Sequence, residues 1–447
     1  MSKGRVRRLQ RQIRQLKREN ESLREENLSL KRENETLKKK LATYEESPPR
    51  KKIIYKANTT RKQKKPGRRP GHTGTSRKIP ERIDAIVDVT LPSCPHCGTL
   101  LGTPVEERIR YVEDIEPPRS RVTQYRVHRY YCPTCKKNVS PPLSDVIPRC
   151  MLGIKVMLFV VYQRYALHLP YNKIRDNLEH CFGIKTTEAT LINAVQLISS
   201  YYRKEFHAIK EQLKLNRYVH IDETGWRING VNHWLWTFIS DTAVLFKIDR
   251  RRSGAVPREM LGDEYEGIVL SDFCSAYNTL PYKKQKCLVH LLRETKKIAE
   301  KNEQTQKFHR RIKRFVRDAA QFVEDHSLSE RKSAYPRFFK RLERIIKGPY
   351  TDPDCQRLIK RLKKHRESLL TFLEEDIDYH NNTAERALRS SVVMRKITGG
   401  NRSQEGAHTH EILMSIYETC KMHNENFLKE SEQFMRNRLK KGVTSES

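Results

Sequence analysis

The amino-acid sequence predicts a multidomain α+β protein in which helical and strand-like regions follow one another along the chain. Three observations support this fold class: a leucine heptad near the N-terminus, two Cys-x-x-Cys pairs, and β-like runs interspersed with helical patterns. With 447 residues, the chain is long enough for about two to four domains, each with its own core.

The composition is strongly basic. Lysine and arginine total 89 residues against 54 aspartates and glutamates, which gives a formal net charge of +35. Such a charge favours a polyanionic partner, and nucleic acid is the first candidate. The N-terminus lacks the apolar segment of a signal peptide, and no stretch approaches the roughly 20 apolar residues of a membrane span. We therefore expect a cytoplasmic protein without a membrane partner.

Residues 5–44 carry a strict heptad repeat, which predicts a parallel coiled coil, or leucine zipper, at 1–46. Leucine fills successive d positions, which are Leu9, Leu16, Leu23, Leu30 and Leu37. Glutamates at g lie five residues before basic residues at e, and this pattern favours a homodimer. Three asparagines at a positions penalise other registers and higher oligomers: Asn20, Asn27 and Asn34. A single solvated helix is the alternative, but it does not require leucine at every d position.

A basic linker is predicted at 47–80, because two prolines at 48 and 49 stop the preceding helix. Residues 50–78 contain 12 lysines or arginines and no acid. Four of them are candidate DNA contacts: Lys64, Lys65, Arg68 and Arg69. Arginines held between prolines and glycines suit an extended arm in a DNA minor groove. A solvated basic tether is the alternative, and either would strengthen binding through phosphate neutralisation.

Two Cys-x-x-Cys pairs predict a zinc-binding module at 81–150. The pairs are separated by 34 residues and consist of Cys94 with Cys97 and Cys132 with Cys135. Four thiolates can surround one structural Zn²⁺ ion tetrahedrally. Strands of a zinc-ribbon-like fold are expected from alternating residues between the pairs, namely Val122, Tyr125, Val127 and Tyr130. A redox role for each pair is the competing interpretation.

Residues 151–205 are helical in pattern. One helix is predicted to end near Gly183, and the next is predicted to begin at Thr186 or Thr187. This arrangement is compatible with a helix-turn-helix whose second helix reads DNA. Plain packing of a helical hairpin explains the pattern equally well, and the sequence does not decide between the two.

A mixed domain is predicted at 206–300, with its last part at 376–425. Its first strand delivers Asp222, two β-like runs follow around a hairpin signal at 240–242, and a later strand ends at Asp272. A short helix is expected near residues 257–261, and Glu385 lies near the start of a helix far downstream. This order of strands, helices and acids is the ribonuclease-H-like arrangement. It would place the two aspartates at neighbouring positions of the central sheet.

A helical insertion is predicted at 301–375, between the two parts of the mixed domain. Its apolar stripes run from Phe308 to Val323 and from Leu358 to Phe372, and we expect them to form a core. The basic outer faces of these helices either track DNA or are solvated. A turn at 399–401 and a helix at 405–420 follow, and residues 426–447 predict a polar tail.

Asp222, Asp272 and Glu385 are the candidate catalytic residues. Mg²⁺ or Mn²⁺ prefers oxygen ligands, so carboxylates that converge from separate elements can hold two ions. Two such ions activate a water or a 3′-hydroxyl at a phosphodiester and stabilise the departing oxygen. Candidate phosphate contacts nearby are Arg386, Arg389, Arg395 and Lys396. Each acid also has a structural interpretation, since the first could cap a turn, the second could start a helix, and the third could complete a capping box with Asn382.

The motifs occur in the order seen in transposases of the insertion sequence 66 family, which the chain resembles from end to end. The stretches that carry the resemblance are the heptad zipper, the Pro-Gly-Arg-Arg-Pro-Gly-His linker, the paired Cys-x-x-Cys module, His-Ile-Asp-Glu-Thr-Gly-Trp, Leu-Ser-Asp-Phe-Cys-Ser-Ala-Tyr, Cys-Leu-Val-His-Leu-Leu-Arg and Asn-Asn-Thr-Ala-Glu-Arg-Ala-Leu-Arg. The resemblance implies that the three acids are the DDE triad of a ribonuclease-H-like nuclease domain. It also marks Cys287 and His290 as a Cys-x-x-His element, for which we expect a role in packing support.

The resemblance therefore implies an enzyme, a DNA transposase that binds the ends of its element, cleaves there, and joins 3′-hydroxyl ends to target DNA with two metal ions. The zipper would pair subunits as a homodimer or higher oligomer, accessory proteins of the same element are common partners in the family, and the protein would be associated with the prokaryotic nucleoid. One alternative is a domesticated DNA-binding protein without chemistry. Another is a structure-selective nuclease of the same fold, which cleaves without joining.

Overall fold

The computed structural model describes residues 31, 35, 80–114, 118–141, 143, 146–148 and 150–440. The chain divides into two compact units, Met1–Glu113 and Asp114–Ser447. Apart from the helical, exposed Lys31 and Glu35, the predicted coiled coil lies outside the described residues. The predicted basic linker, with its four candidate DNA contacts, also lies outside them except for residue 80. Among the described helices, none combines the length and the apolar character needed to cross a membrane.

The cysteine pairs lie in tight turns, each described within its own unit. In the first unit, the turn after Cys94 is closed by an isolated bridge between Ser93 and Leu100. In the second unit, β1 (Tyr130–Cys132) and β2 (Lys137–Val139) form a short antiparallel hairpin. The expectation of strands from Val122 onwards is wrong for the described residues, where only Tyr130 of the four alternating residues lies in a strand. The side chains of the other three are exposed, so their alternation reflects no buried face.

Four helices open the larger part of the second unit: α1 (Ile154–Tyr165), α2 (Tyr171–Phe182), α3 (Glu188–Tyr201) and α4 (Arg203–Lys214). The predicted boundary between α2 and α3 is confirmed. Gly183 ends α2 in the left-handed region at φ 67°, which favours glycine. Thr187 caps α3, because its hydroxyl accepts a hydrogen bond from the backbone of Thr190 (3.2 Å). Helix α3 packs against α1 and α2, and its DNA-reading role remains a prediction.

A five-stranded mixed sheet follows, with the order β5-β4-β3-β6-β7. Its strands are β3 (Tyr218–Ile228), β4 (Val231–Ile239), β5 (Val244–Asp249), β6 (Ile268–Ser271) and β7 (Lys283–Lys286). The first three are antiparallel, and β6 and β7 run parallel to β3. Asn229 and Gly230 both have positive φ, which suits the two-residue turn between β3 and β4. Helix α5 (Ala255–Leu261) connects β5 to β6, as predicted.

Helix α6 (Leu288–Ile298) follows β7, and the insertion predicted at 301–375 contains α7 (Glu303–Asp325), α8 (Leu328–Ile346), α9 (Pro353–His365) and the short α10 (Thr371–Glu374). Their apolar stripes are buried in a second core, separate from the core of the remaining unit. Strand β6 contributes to both cores, because Val269 lies in the first core while Ile268 and Leu270 lie in the second. Strand β6, which Asp272 directly follows, therefore packs against both cores.

Three helices complete the described part of the chain: α11 (Asn382–Thr398), α12 (Gln404–Met422) and α13 (Phe427–Lys440). The expectation of a polar tail after residue 425 is wrong, since α13 is helical and packs against α1. Phe427 and Met435 are buried on one side of α13, and Phe434 stacks on Tyr202 with ring centroids 4.4 Å apart. These apolar residues lie on one face of the helix, but charged residues separate them in the sequence. The segment therefore reads as polar when only the sequence is considered.

Helix α12 covers the open edge of the sheet. Its side chains at 411, 415 and 419 accept hydrogen bonds from the backbone N–H groups of β5 at 248, 246 and 244, respectively. Acceptors four residues apart on the helix match donors two residues apart on the strand, because both spacings correspond to about 6 Å. At the opposite edge, the Thr371 hydroxyl donates to the Lys284 carbonyl of β7 (2.6 Å). Both edges of the sheet are thus engaged by side chains of neighbouring helices.

Candidate active site

The three predicted acids come from different elements that meet at one place. Asp222 lies in β3, Asp272 directly follows β6, and Glu385 lies in the first turn of α11. Strands β3 and β6 are parallel neighbours, and their register pairs His220 with Leu270. Two residues further along each strand, this register brings the two aspartates level with each other.

The electrostatics show that these acids act on one another. The pKa of Asp222 is raised well above its ordinary value, first by burial and then by repulsion from Glu223, Asp272 and Glu385. The Glu223 backbone N–H, which donates to Asp222 Oδ1 (3.0 Å), partly offsets this effect. Asp272 Oδ1 accepts a hydrogen bond from the Cys274 backbone N–H (2.8 Å), so its carboxylate closes the turn after β6. The interpretation that Asp272 starts a helix is wrong, because Cys274 is the N-cap residue of the short 3-10 helix that follows.

Glu223 is a fourth acid at this site, and the sequence interpretation assigned it no role. Its side chain is 1% exposed and pairs with the Arg252 guanidinium (2.9 Å), while the Tyr277 hydroxyl donates to its other oxygen. Glu223, Asp272 and Cys274 each bring one ligand atom within 4.8 Å of the others. The acidic pair at 222 and 223 was the signal that could have identified it.

Lys286 positions the backbone that carries the second aspartate. Its side chain is fully buried, and Nζ donates to the Asp272 carbonyl (2.8 Å) and to Ser271 Oγ (3.1 Å). The ammonium also lies 5.2 Å from the ring centroid of Tyr277. Burial lowers the pKa of Lys286 to about 8, and the nearby Asp272 charge partly opposes this shift. Sequence analysis missed both β7 and this residue, because the run Lys-Lys-Gln-Lys contains no apolar side chain.

Asn381 connects the helix of Glu385 to both aspartate strands. Its side-chain amide donates to the Ile221 carbonyl (2.8 Å) and accepts from His220 Nδ1 (2.9 Å). Its backbone N–H donates to Cys287 Sγ (3.2 Å), and the Cys287 backbone N–H donates to the Ser271 carbonyl (2.9 Å). Cys287 therefore lies at a junction between the acid-bearing elements, which is consistent with its expected packing role.

The capping-box interpretation of Glu385 is wrong. Asn381, rather than Asn382, is the N-cap residue of α11, and its side chain makes no capping hydrogen bond. Glu385 instead forms a two-pronged ion pair with Arg293, whose Nη1 and Nη2 lie 2.8 and 3.2 Å from its oxygens. His290 Nε2 lies 3.6 Å from the same carboxylate. His290 and Arg293 are three residues apart on α6 and share one face.

Arg293 is a site residue that sequence analysis did not single out, although it closes the Cys-Leu-Val-His-Leu-Leu-Arg motif. The spacing of three from His290 was the available signal. Among the candidate phosphate contacts, Arg386, Arg389 and Lys396 are exposed on α11. Arg395 is turned towards the protein instead, where it donates to Thr224 Oγ1 (3.1 Å) and to a β3 carbonyl.

The cysteine turns favour the thiolate form that zinc binds. In the first unit, the pKa of Cys97 is lowered to about 7, chiefly by the hydrogen bond between its sulfur and the Thr99 hydroxyl (3.3 Å). In the second unit, the pKa of Cys132 is lowered by hydrogen bonds from the Cys135 backbone and side chain. Each pair therefore has the chemical character of a zinc knuckle within its own unit.

The acid cluster suits a divalent cation. Carboxylate oxygens are the ligands that Mg²⁺ and Mn²⁺ prefer, and Asp222, Asp272 and Glu385 supply them from three elements. The raised pKa of Asp222 identifies negative charge that the surrounding protein does not fully compensate. A bound cation would offset this repulsion.

Comparison with known proteins identifies two matching families. The model of a family described as "Transposase IS66 family" matches residues 149–409, which include all three acids and more than half of the chain. The family described as "zinc-finger binding domain of transposase IS66" matches residues 92–136, which include all four paired cysteines. A Sinorhizobium fredii (strain NBRC 101917 / NGR234) protein described as uncharacterized protein y4jO is 38% identical over 85 residues, or 19% of this chain. The matched region spans about a quarter (26%) of that relative.

Neutralising Asp222 is expected to stabilise the metal-free protein. A carboxyl whose pKa is higher in the folded than in the unfolded state costs stability as the pH rises above its unfolded value of about 3.9. Asp222→Asn removes this cost, so the melting temperature in EDTA should rise by about 2–4 °C near pH 8 and little near pH 4. Mn²⁺ should then raise the melting temperature of the native protein more than that of the variant.

Thermal unfolding with and without Mn²⁺ tests this expectation. Asp263→Asn is the matched control, because its carboxylate is 75% exposed and lies outside the cluster. A variant that melts below the native protein in EDTA, or that responds equally to Mn²⁺, would contradict the electrostatic assignment.

Lys286→Met is expected to weaken Mn²⁺ binding by about 10-fold, which is typical when a residue that orients a metal ligand is lost. Methionine keeps the apolar stem but cannot hold the Asp272 carbonyl. Lys284→Met is the control, since Lys284 lies in the same strand but donates to the Leu280 carbonyl. Calorimetric titration with Mn²⁺ measures the effect, and equal affinities for the two variants would refute a positioning role.

Proposed function

Because this chain belongs to the IS66 family of transposases, we propose that Asp222, Asp272 and Glu385 are the metal-binding triad of a DDE-type transposase. The observation that carries this proposal is the convergence of the three acid-bearing elements. Parallel strands β3 and β6 bring Asp222 and Asp272 level, and Asn381 attaches the first turn of α11 to β3. Three carboxylates from distant parts of the sequence meet at one place, where like charges repel one another. Such an arrangement is costly for a purely structural site and useful for a metal site.

The domain around the triad is proposed to be ribonuclease-H-like. Three antiparallel strands, followed by two strands parallel to the first, support this assignment. The first acid lies in the first strand, the second acid follows the fourth, and the third acid lies in a helix after the insertion. The insertion occupies the chain between the second and third acids.

The reaction is proposed to cleave DNA at the element ends and to transfer the resulting 3′-hydroxyls to target DNA. Two Mg²⁺ or Mn²⁺ ions, when bound by the triad, would activate the attacking oxygen and stabilise the departing one. Lys286 and Asn381 hold the backbone beside two of the acids, and Arg293 orients the carboxylate of Glu385. The exposed Arg386 and Arg389 on the same helix are available to contact DNA phosphates.

Strand transfer of a labelled element-end duplex into plasmid DNA tests the proposal. Asp222→Asn, Asp272→Asn and Glu385→Gln should each lower the joining rate by about 10³-fold or more, because each removes a metal ligand. Glu405→Gln is the control, since that exposed glutamate lies in the first turn of the next helix. DNA binding without metal should survive in all four variants.

The outcomes separate the competing functions. If strand joining persists in a variant of one of the three acids, the assignment of that acid to the metal-binding triad is refuted. Cleavage without joining by the native protein would identify a nuclease. Tight binding with neither reaction would favour a DNA-binding protein without chemistry or a missing accessory protein.

One structural Zn²⁺ ion is proposed for the zinc-finger domain, with Cys94, Cys97, Cys132 and Cys135 as ligands. The family match across all four residues and the lowered pKa values of Cys97 and Cys132 support it. Metal analysis of the purified chain should give one zinc per subunit, and Cys132→Ser should lose it. Cys181→Ser, which alters an exposed cysteine in α2, should retain zinc. A native chain without zinc would contradict the proposal.

Subunit pairing and accessory partners remain predictions. The heptad at 1–46 is proposed to join two subunits, so that two element ends are held together. Partner proteins from the same element are proposed on the family resemblance alone. Double-stranded DNA is the proposed macromolecular substrate.

A further inference from the structure

The helical insertion carries a groove between α7 and α8 that the proposed chemistry does not use. Its volume is about 680 Å³, and its lining includes four basic side chains of α8. These are Arg337, Lys340, Arg341 and Arg344, which recur at intervals of three and four residues. Such spacing places them on one helix face, over about 10.5 Å of its length.

The positive charge of this groove is largely uncompensated. Asp318 is the acid in its lining, and that carboxylate already pairs with Arg341 (2.7 Å) and with Arg317 (2.9 Å). The other three groove cations, Arg337, Lys340 and Arg344, make no ion pair with the part of the chain that the structure describes. Like charges at this spacing destabilise an isolated helix, so helix stability does not explain the cluster.

Aromatic rings hold one of these cations in place. The Arg337 guanidinium lies 5.0 Å from the ring centroid of Phe322 and 5.1 Å from that of Phe338. Phe322 stacks in turn on His326, with ring centroids 3.8 Å apart. A guanidinium that is already ordered loses less entropy when it binds an anion. The groove therefore contains a preformed anion contact flanked by further cations.

We infer that this groove binds the sugar-phosphate backbone of double-stranded DNA. One DNA strand presents a phosphate about every 3.4 Å of helix axis, so a row of cations about 10.5 Å long matches about three phosphates. A single small anion would need fewer cations. Arginine suits this ligand, since its fork of donors matches phosphate oxygens.

The groove is expected to bind DNA without reading its sequence. Its lining has no asparagine or glutamine to pair with adenine, and we assign its arginines and lysine to phosphates rather than to the edge of guanine. Phosphate contacts position a duplex and carry little sequence information. The inference rests on DNA being the proposed substrate, and it assigns the insertion the role of holding a duplex apart from the reacting phosphodiester.

A salt titration of DNA binding by the full chain, without divalent metal, tests the inference. The variant carries Arg337→Gln, Lys340→Gln and Arg344→Gln. The matched control carries Lys307→Gln, Lys347→Gln and Arg357→Gln, which removes the same charge from exposed side chains already paired with acids. The slope of log affinity against log salt is negative. Relative to the native chain, its magnitude should decrease by about 2 to 3 in the groove variant and by less than about 1 in the control. Element-end and unrelated duplexes should show the same fall.

Lysine footprinting of the native chain gives a second readout that does not depend on the variant folding. Acetylation of Lys340 should be suppressed by a duplex, whereas acetylation of Lys347, whose side chain is 77% exposed, should be unchanged. Equal salt slopes for the two triple variants, together with equal modification of Lys340 with and without DNA, would overturn the inference. Neither readout requires catalysis. A failure of the proposed strand-transfer function can therefore be distinguished from a failure of DNA binding at the groove.

Discussion

The hydrogen bonds of Asn381 are the interaction on which the geometry of the acid cluster depends. They join residues 160 positions apart, because the Asn381 amide reaches the carbonyl of Ile221, the residue before Asp222. The whole helical insertion lies between these two points of the chain. Since the first turn of α11 is attached directly to β3, the position of Glu385 does not rely on the path of that insertion. The same residue also contacts Cys287, which is bonded to the end of β6.

The acids at this site also differ in whether a cationic side chain lies beside them. Glu223 has Arg252 as a partner and Glu385 has Arg293, while buried Lys286 supports the backbone of Asp272. Asp222 has no cationic partner within the described part of the chain, and burial together with the neighbouring acids raises its pKa well above the ordinary value. The fold thus pairs Glu223 and Glu385 with arginines and leaves the carboxylate of Asp222 to be neutralised by protonation or by a bound cation.

Patterns local to the chain predicted much of the fold. The alternation around Asp222, the hairpin at 240–242 and the boundary at Gly183 all depend on neighbouring residues, and the structure contains each of these elements. Strand β7 could not be predicted in this way, because its burial comes from helices distant in sequence. The roles of Lys286 and Arg293 were missed for the same reason. An isolated lysine or arginine is usually a surface residue, and only the tertiary contacts reveal the carboxyl or carbonyl that it serves.

The coverage of both sheet edges has a consequence for assembly. A second copy of this chain cannot add a strand to β5 without displacing the side chains of α12, and Thr371 protects part of β7 in a similar way. Extension of the sheet from one subunit to another is therefore disfavoured. If copies assemble on DNA as proposed, their contacts are left to helical surfaces and to segments outside the sheet. Such contacts would leave unchanged the strands that carry the aspartates.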